Sequence, residues 1–286
     1  MEQFADRVAV ITGAASGFGR AFAQKGAQLG MKLVLADIDG DALGAVAQSL
    51  AATGADVIAV PTDVSEGAAV EALAQRTLDA YGKVHLLFNN AGVGASGFIW
   101  EMSANDWSWV FGVNLMGVAH GVRVFTPIML RQNEQAHIVN TASVAGLVSP
   151  PAMGVYNASK HAVVALTETL YHDLRRAGAP VGCSLLCPAF APTGIAEAER
   201  GRPARWRNEA PPSASQLLAG RALRKAVRAG RLGPADIAEA TFDAVRTGRF
   251  YVVTHPAIME SVRARHEDIE QMRAPSDPSA PPQASA

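Results

Sequence analysis

Short, strongly apolar runs alternate with longer alanine-rich helical patterns through the first two thirds of the chain. Several runs are nearly continuous in apolar residues, which is typical of parallel strands covered on both faces. This βαβ rhythm predicts an α/β fold with a Rossmann-like, doubly wound parallel sheet of about seven strands and helices on both faces. The candidate strands are residues 7–11, 32–36, 57–60, 84–88, 137–141 and 181–186, with a last strand within 249–256.

The amino-acid composition of the sequence changes after Pro188. Residues 189–233 contain prolines, charges and a basic helical pattern, whereas residues 274–286 are small, polar and rich in proline. We expect a single domain over residues 1–273, in which 189–233 form a small helical lid insert over the substrate. Residues 274–286 are expected to be a disordered tail.

The overall charge and the cysteines exclude several classes of function. A formal net charge of −1 gives no general reason to expect nucleic acid or an anionic membrane as partner. No leader is visible at the N-terminus, and no segment approaches the roughly 20 apolar residues of a membrane span. Cys183 and Cys187 lie about 13 Å apart if they share a strand, too far for a disulfide. We expect a cytoplasmic protein without a metal site.

Three glycines, Gly13, Gly17 and Gly19, follow the first predicted strand and open the first helix. Glycine suits a tight turn whose backbone approaches a pyrophosphate closely. The helix that follows directs its free N–H groups and its positive dipole end at the phosphates. The turn, which also contains Ser16 and Phe18, therefore predicts the diphosphate site of a dinucleotide.

An acidic residue ends the second predicted strand. Asp37 stands 18 residues beyond Gly19, close to the roughly 20 expected for the group that binds the adenosine ribose. A carboxylate there repels the additional phosphate of NADP, and neither Ala15 nor Ile38 offers a basic side chain for it. We therefore expect NAD as the cofactor, with NADP disfavoured. The alternative interpretation is that Asp37 caps the next helix.

Further motifs follow in order along the chain: TDVS at residues 62–65, NNAG at 89–92, GVNLMG at 112–117, NTASVAG at 140–146 and YNASK at 156–160. Together with the Gly-x-x-x-Gly-x-Gly spacing, they make the chain resemble the short-chain dehydrogenase/reductase family. The resemblance extends from about residue 5 to about residue 195.

The resemblance implies how the cofactor is held. Asp63 and Val64 match the residues that bind adenine, and Asn90, Ala91 and Gly92 match the segment that lies along the cofactor. Pro188 and Thr193 match the loop beside the nicotinamide, although the usual glycine after this proline is Ala189. If that position requires a positive φ, alanine is strained. The alternative for Asn89 and Asn90 is an ordinary turn.

Tyr156 and Lys160 are the candidate acid–base pair. Four residues along a helix rise about 6 Å, so the two side chains share one face and line one cleft. The pKa of a free tyrosine, about 10, makes it a poor base near neutrality. A neighbouring ammonium and the positive nicotinamide ring are expected to lower this pKa. Tyr156 then accepts the proton of an alcohol or donates one to a ketone.

The resemblance implies three further roles. Lys160 also binds the nicotinamide ribose, Ser143 orients the substrate oxygen, and Asn114 holds a water beside Lys160 in a proton relay. The alternative for Asn114 is an ordinary helix asparagine.

Few charges occur where the family places its substrate pocket. Trp100, Leu147, Met153 and Phe190 are the candidate pocket residues, and they suit an apolar, even aromatic, secondary alcohol or ketone. The family usually assembles as homodimers or homotetramers, and we expect the same. Two other functions stay open: reduction of a carrier-bound β-ketoacyl chain, and a non-catalytic dinucleotide sensor. The retained tyrosine and lysine oppose the second of these.

Overall fold

Seven parallel strands form one sheet in the computed structural model, which describes residue 1 and residues 3–279. The strand order is β3-β2-β1-β4-β5-β6-β7, so the direction of winding reverses between β1 and β4. The strands are β1 (Val8–Thr12), β2 (Lys32–Asp37), β3 (Val57–Pro61), β4 (Leu86–Asn89), β5 (Ala136–Thr141), β6 (Val181–Cys187) and β7 (Tyr251–Val253). The predicted doubly wound α/β fold is confirmed.

Helices cover both faces of this sheet. They are α1 (Gly17–Gln28), α2 (Gly40–Ala51), α3 (Gly67–Tyr81), α4 (Ala104–Phe111), α5 (Gly117–Gln132), α6 (Gly154–Arg176), α7 (Ala214–Arg228), α8 (Pro234–Thr247) and α9 (Ile258–Glu270). One core lies under α1, α2 and α8, where Phe22 stacks on Phe88 with ring centroids 4.6 Å apart. The other lies under α3, α5 and α6 and includes Leu73 and Phe125.

The long apolar pattern between residues 104 and 132 is not one regular helix. A π-helical turn, Gly112–Met116, separates α4 from α5. By length and composition alone, the stretch Ala104–Gln132 could cross a membrane. The core helix of a globular protein passes the same test, and α5 packs here against α3 and β4. The pattern is therefore weak support for a membrane span.

The C-terminal part contains a helix that the sequence pattern does not predict. Only Val262 and Asp268 of α9 are buried, so this helix has no clear apolar stripe. The buried Asp268 carboxylate accepts a hydrogen bond from the Ser276 amide at 2.7 Å and pairs with Arg273 at 2.9 Å. These contacts hold Arg273 and Ser276 beside α9, whereas residues 280–286 of the expected disordered tail lie outside the described residues.

Candidate active site

A cleft of about 680 Å³ opens at the carboxyl ends of β1, β4, β5 and β6. It runs from Asp37 and Asp63 at one end to Tyr156 at the other. Parallel α/β sheets bind ligands at this edge, beside the point where the strand order reverses. The predicted cofactor residues that line the cleft are Gly13, Ser16, Gly17, Phe18, Asp37, Asp63, Val64, Asn90, Ala91, Gly92, Tyr156, Lys160, Pro188 and Thr193.

The glycine turn after β1 is packed too tightly for larger residues. Gly13 has a φ of +66°, and a Cβ there would lie 2.8 Å from the Ala91 Cα. A Cβ on Gly19 would lie 2.0 Å from the Gly13 carbonyl oxygen, so Gly19 packs beneath the turn rather than lining the cleft. The Ser16 side chain does not cap α1. The first amides of α1 are therefore available to an anion, which fits a pyrophosphate.

Asp37 connects this turn to the end of β2. Its Oδ2 accepts a hydrogen bond from the Ala15 amide at 3.0 Å, and its Oδ1 accepts one from the Asp39 amide at 3.1 Å. Burial raises the pKa of Asp37, and these hydrogen bonds oppose the rise. Asp39 rather than Asp37 caps α2, because its Oδ1 accepts from the Ala42 amide at 3.0 Å. The helix-cap interpretation of Asp37 is therefore wrong.

The segment after β4 forms the floor of the cleft. The Thr12 hydroxyl oxygen accepts hydrogen bonds from the amides of Asn90 at 2.9 Å and Ala91 at 3.1 Å. The Asn90 side chain donates to the Thr12 carbonyl at 3.0 Å. The Asn89 side chain faces Gly121 of α5 instead and donates to the Asn140 Oδ1 at 2.8 Å. The floor is thus tied to the end of β1, which keeps it against the glycine turn.

Tyr156 and Lys160 lie on one face of α6, as their spacing predicts. The Lys160 Nζ is 5.8 Å from the centre of the Tyr156 ring and donates a hydrogen bond to the Thr141 carbonyl at 2.8 Å. Ser143, just beyond β5, lines the same cleft, where its hydroxyl donates to the Pro188 carbonyl at 3.3 Å. The structure therefore brings the three polar groups together at one end of the cleft.

In the polypeptide without a nicotinamide ring, the pKa of Tyr156 is shifted in the direction opposite to the lowering predicted for the cofactor-bound site. Burial raises the pKa of Tyr156, because it disfavours the charged phenolate, and the nearby Ser143 hydroxyl opposes this rise. Burial also lowers the pKa of Lys160 to about 8. The ammonium is directed at a main-chain carbonyl, and it does not offset the desolvation of the phenol.

Asn114 is fully buried in the π-helical turn, behind the cleft wall. Its Oδ1 accepts from the Val93 amide at 2.8 Å, and its Nδ2 donates to the Val93 carbonyl and to the Ser159 hydroxyl, both at 3.0 Å. A Cβ on Gly92 would lie 3.5 Å from the Asn114 Oδ1 and 3.6 Å from the Lys160 Nζ. Asn114 is therefore no ordinary helix asparagine: it fixes the segment after β4 beside Lys160.

The loop after β6 follows an unstrained path. Ala189 does not adopt a positive φ, so the departure from glycine costs no backbone strain. The Pro188 carbonyl accepts from the Val144 amide at 3.0 Å. The Thr193 side chain lies beside the glycine turn, since a Cβ added to Gly17 would be 3.4 Å from it.

Two of the four predicted pocket residues do not line the cleft. Trp100 is 76% exposed and stacks on Phe98, and Leu147 packs into the core that contains Val163. Trp100 lies within a short helical turn, Ile99–Glu101, and Leu147 directly follows another, Val144–Gly146. Met153 and Phe190 do line it. The walls also include residues that sequence reasoning did not identify: Trp109, Trp206, Leu223, Val227 and Ile258.

Of these wall residues, Trp206 could have been identified from the sequence, because it is an aromatic side chain among prolines and arginines. Among the described residues, no cluster of histidine, cysteine or acidic side chains could hold a metal ion. Cys183 and Cys187 are buried free thiols, and burial raises the pKa of each to about 12. They therefore serve as small apolar core residues.

The buried Lys160 is expected to destabilise the fold. Its pKa falls from 10.5 to about 8 on folding, so the cost is fully present below pH 8 and disappears above pH 10.5. Lys160→Met should raise the free energy of unfolding at pH 7 by about 1–3 kcal/mol in urea titrations without dinucleotide. The gain should shrink between pH 8 and 10. The exposed Lys225→Met is the control, and a gain independent of pH would contradict the assigned cause.

Comparisons with known proteins agree with this geometry. The sequence model of the short chain dehydrogenase family matches residues 7–203. A CLA biosynthesis dehydrogenase/reductase from Lactiplantibacillus plantarum is 37% identical over 96% of this chain and 97% of its own. A 1-deoxy-11-beta-hydroxypentalenate dehydrogenase from Streptomyces avermitilis is 35% identical over 86% of this chain and 84% of its own.

A solved structure is still more similar. A short chain dehydrogenase/reductase from Burkholderia phymatum, crystallised in complex with NAD, is 70% identical to this chain. The two superpose with a TM-score of 0.97, over 98% of this chain and 100% of the other.

Proposed function

This chain belongs to the short-chain dehydrogenase family, and we propose that it is an NAD-dependent oxidoreductase acting on an apolar secondary alcohol or its ketone, aromatic ones included. One observation carries the proposal: Ser143, Tyr156 and Lys160 together line one end of a cleft whose other end holds the glycine turn and Asp37. A proton-transfer group and a dinucleotide cradle thus share one cavity.

When bound, NAD would accept a hydride from the alcohol, and NADH would donate a hydride to the ketone. The glycine turn and the first amides of α1 would hold its pyrophosphate, Asp37 its adenosine ribose, and Lys160 its nicotinamide ribose. Asp63 and Val64 would contact the adenine, and Thr193 the nicotinamide. All of these residues except the buried turn glycine, Gly19, face the cleft.

The chain's own residues handle the proton. In oxidation, the Ser143 hydroxyl orients the substrate oxygen, and the Tyr156 phenolate takes the proton from that oxygen. The Lys160 ammonium, on the same face of α6, would favour the phenolate together with the positive charge of the oxidised nicotinamide ring. In reduction, Tyr156 returns the proton to the oxygen of the ketone. Asn114 acts from behind the wall by keeping the segment after β4 beside Lys160.

The preference for NAD over NADP rests on Asp37. Asp37→Ala should lower the ratio of kcat/KM for NADH to that for NADPH by about 10- to 100-fold, because a charge-assisted hydrogen bond to the ribose is lost and a repulsive charge is removed. Steady-state kinetics with both cofactors measures the ratio. Asp41→Ala is the matched control, since Asp41 is an exposed acid in the first turn of α2 and does not line the cleft. An unchanged ratio in Asp37→Ala would exclude the ribose contact.

The substrate class rests on the lining of the cleft. Met153, Phe190, Trp109 and Trp206 present mainly carbon to the end where Tyr156 lies. The name of the Streptomyces avermitilis relative, a dehydrogenase of a hydroxylated compound, fits an alcohol substrate.

Residues 189–233 would serve as the lid. We also propose a cytoplasmic homodimer or homotetramer that meets through the helices bearing Asn114 and Tyr156.

The proposed function is tested by measuring turnover of candidate substrates. Purified protein is mixed with NAD and a panel of aliphatic and aryl secondary alcohols while the absorbance of NADH is followed, and the corresponding ketones are tested with NADH. The proposal expects activity that grows with the apolar area of the substrate. Binding of NADH without turnover of any member of the panel would favour the dinucleotide sensor instead.

One observation keeps the carrier-linked alternative open. The exposed face of α7 carries Arg221, Arg224, Lys225 and Arg228, which suits an acidic carrier protein. A β-ketoacyl reductase would turn over the carrier-bound substrate much faster than the free ketone, and substitution of these arginines would remove only that advantage. Equal rates would exclude it.

A further inference from the structure

We propose that Arg205 is a positioning residue of the dinucleotide site: through Asp63 it fastens residues 189–233, hereafter the insert, to the adenine end of the cleft. The proposal rests on the NAD-dependent function above. The insert then has two roles, because it retains the dinucleotide as well as covering the substrate.

The contacts of Arg205 converge on the adenine end. Its Nη2 donates to the Asp63 Oδ2 at 2.8 Å and to the Ser65 hydroxyl at 3.1 Å, and it pairs with the Glu66 carboxylate at 2.9 Å. Asp63 faces the cleft. Arg205 stands 142 residues further along the chain, so this bond joins the insert to the loop after β3.

Arg205 also positions an aromatic wall of the cleft. Its guanidinium lies over the neighbouring Trp206 ring, 4.1 Å from the centroid, in a cation–π contact. The Trp206 ring would lie 3.3 Å from a Cβ on Gly112, and it lines the cleft. The ion pair and the indole therefore hold the same short segment, residues 204–206, across the dinucleotide cleft.

A second arginine, three residues earlier, shows which of the two attachments can open. Arg202 is 3% exposed, is bonded to the buried Asp106 at 2.8 Å, and lies over Trp109 at 4.7 Å. Breaking a buried pair leaves an uncompensated charge, so Arg202 is a permanent anchor. The Arg205 side chain is 46% exposed. Its ion pairs are weaker and screened by salt, so this attachment can open and close.

Asp63 retains the capacity to bind adenine while Arg205 is attached. Its Oδ1 accepts from the Ser65 amide at 3.0 Å and from the Ser65 hydroxyl at 2.6 Å. Its Oδ2 accepts from Arg205 and, like any carboxylate oxygen, has a second lone pair for an adenine amine. A bound dinucleotide would then lie beneath the attached insert. Its release requires that the Arg205 contacts break first.

The proposal predicts a faster release of the reduced cofactor from Arg205→Ala. Stopped-flow fluorescence of NADH displaced by excess NAD should give a dissociation rate about 3- to 10-fold above that of the wild type. Arg205→Lys, which keeps the charge but loses the planar fork, should give an intermediate rate. Raising the salt concentration from about 0.01 M to 1 M should bring the wild-type rate close to that of Arg205→Ala, because the contact is screened.

Arg200→Ala is the matched control. Arg200 is an exposed arginine of the same insert, and the described residues give it no ion pair. This variant should release NADH at the wild-type rate, which separates the Arg205 contacts from a general loss of positive charge. Asp63→Asn combined with Arg205→Ala should accelerate release less than the product of the two single effects, because the residues act through one bond.

The outcomes distinguish this proposal from the proposed function. If the wild type binds NADH but Arg205→Ala releases it at the wild-type rate at low salt, the role of Arg205 is overturned and the function stands. An equal acceleration of release in Arg200→Ala would overturn the role of Arg205 as well. If the wild type does not bind NADH at all, the dinucleotide function itself fails.

Discussion

Tyr156→Phe is expected to lower kcat by about 10²- to 10⁴-fold while the Kd for NADH changes by less than about twofold. The substitution removes only the hydroxyl that exchanges a proton with the substrate, and phenylalanine keeps the ring beside Lys160. Steady-state turnover of the best alcohol and fluorescence titration with NADH measure the two quantities. A shared loss of affinity and turnover would instead indicate a disturbed cleft.

Tyr171→Phe provides the control for this change. Tyr171 lies on the same helix, and its ring packs edge-on against Phe250 at 5.1 Å, away from the cleft. The control loses the same atom from the same type of residue, so kcat should stay at the wild-type value. Substantial activity in Tyr156→Phe would assign the proton transfer to another group.

Gly19→Ala is expected to raise the Kd for NADH by at least about 100-fold. The new methyl group would lie 2.0 Å from the Gly13 carbonyl oxygen and 2.8 Å from the Asn90 Nδ2, closer than any real Cβ contact. Gly13 must then move, and the cradle for the pyrophosphate opens. Overpacking of this kind typically costs about 1–3 kcal/mol of stability, so urea unfolding should show the strain even in a variant that binds nothing.

Gly44→Ala is the matched control. Gly44 lies in α2, and nothing is within 4 Å of the position of a new Cβ. Alanine should stabilise the helix by about 0.5–1 kcal/mol and leave NADH affinity unchanged. If Gly19→Ala binds NADH as tightly as Gly44→Ala does, the glycine turn is not the diphosphate site.

The sequence predicted the parts of the site that depend on local geometry. The glycine turn follows a strand and opens a helix, so its position on the sheet follows from the βαβ pattern alone. Tyr156 and Lys160 share a face because they are four residues apart on one helix. The helix-cap alternative for Asp37 could not be decided in this way, since both Asp37 and Asp39 precede α2 and the first residue of the helix was not known from the sequence. The hydrogen bond from the Ala42 amide to Asp39 decided it.

The substrate walls were harder to predict because a side chain's direction in a short turn depends on what packs behind it. Trp100 is a large apolar side chain of the kind that lines pockets. Its neighbour Ile99 packs against Gly154, however, and Trp100 is exposed to solvent. Trp206 reaches the cleft only because Arg202 and Arg205 hold the insert across it.

By itself, the sequence determined the doubly wound sheet, the glycine turn and the tyrosine–lysine pair, because periodicity and spacing report backbone conformation over a few residues. The tertiary structure alone decided the direction of the Tyr156 pKa shift, the burial of Asn114 and the bond between Arg205 and Asp63. Desolvation and ion pairing depend on which distant segments meet, and the pair in that last bond is 142 residues apart.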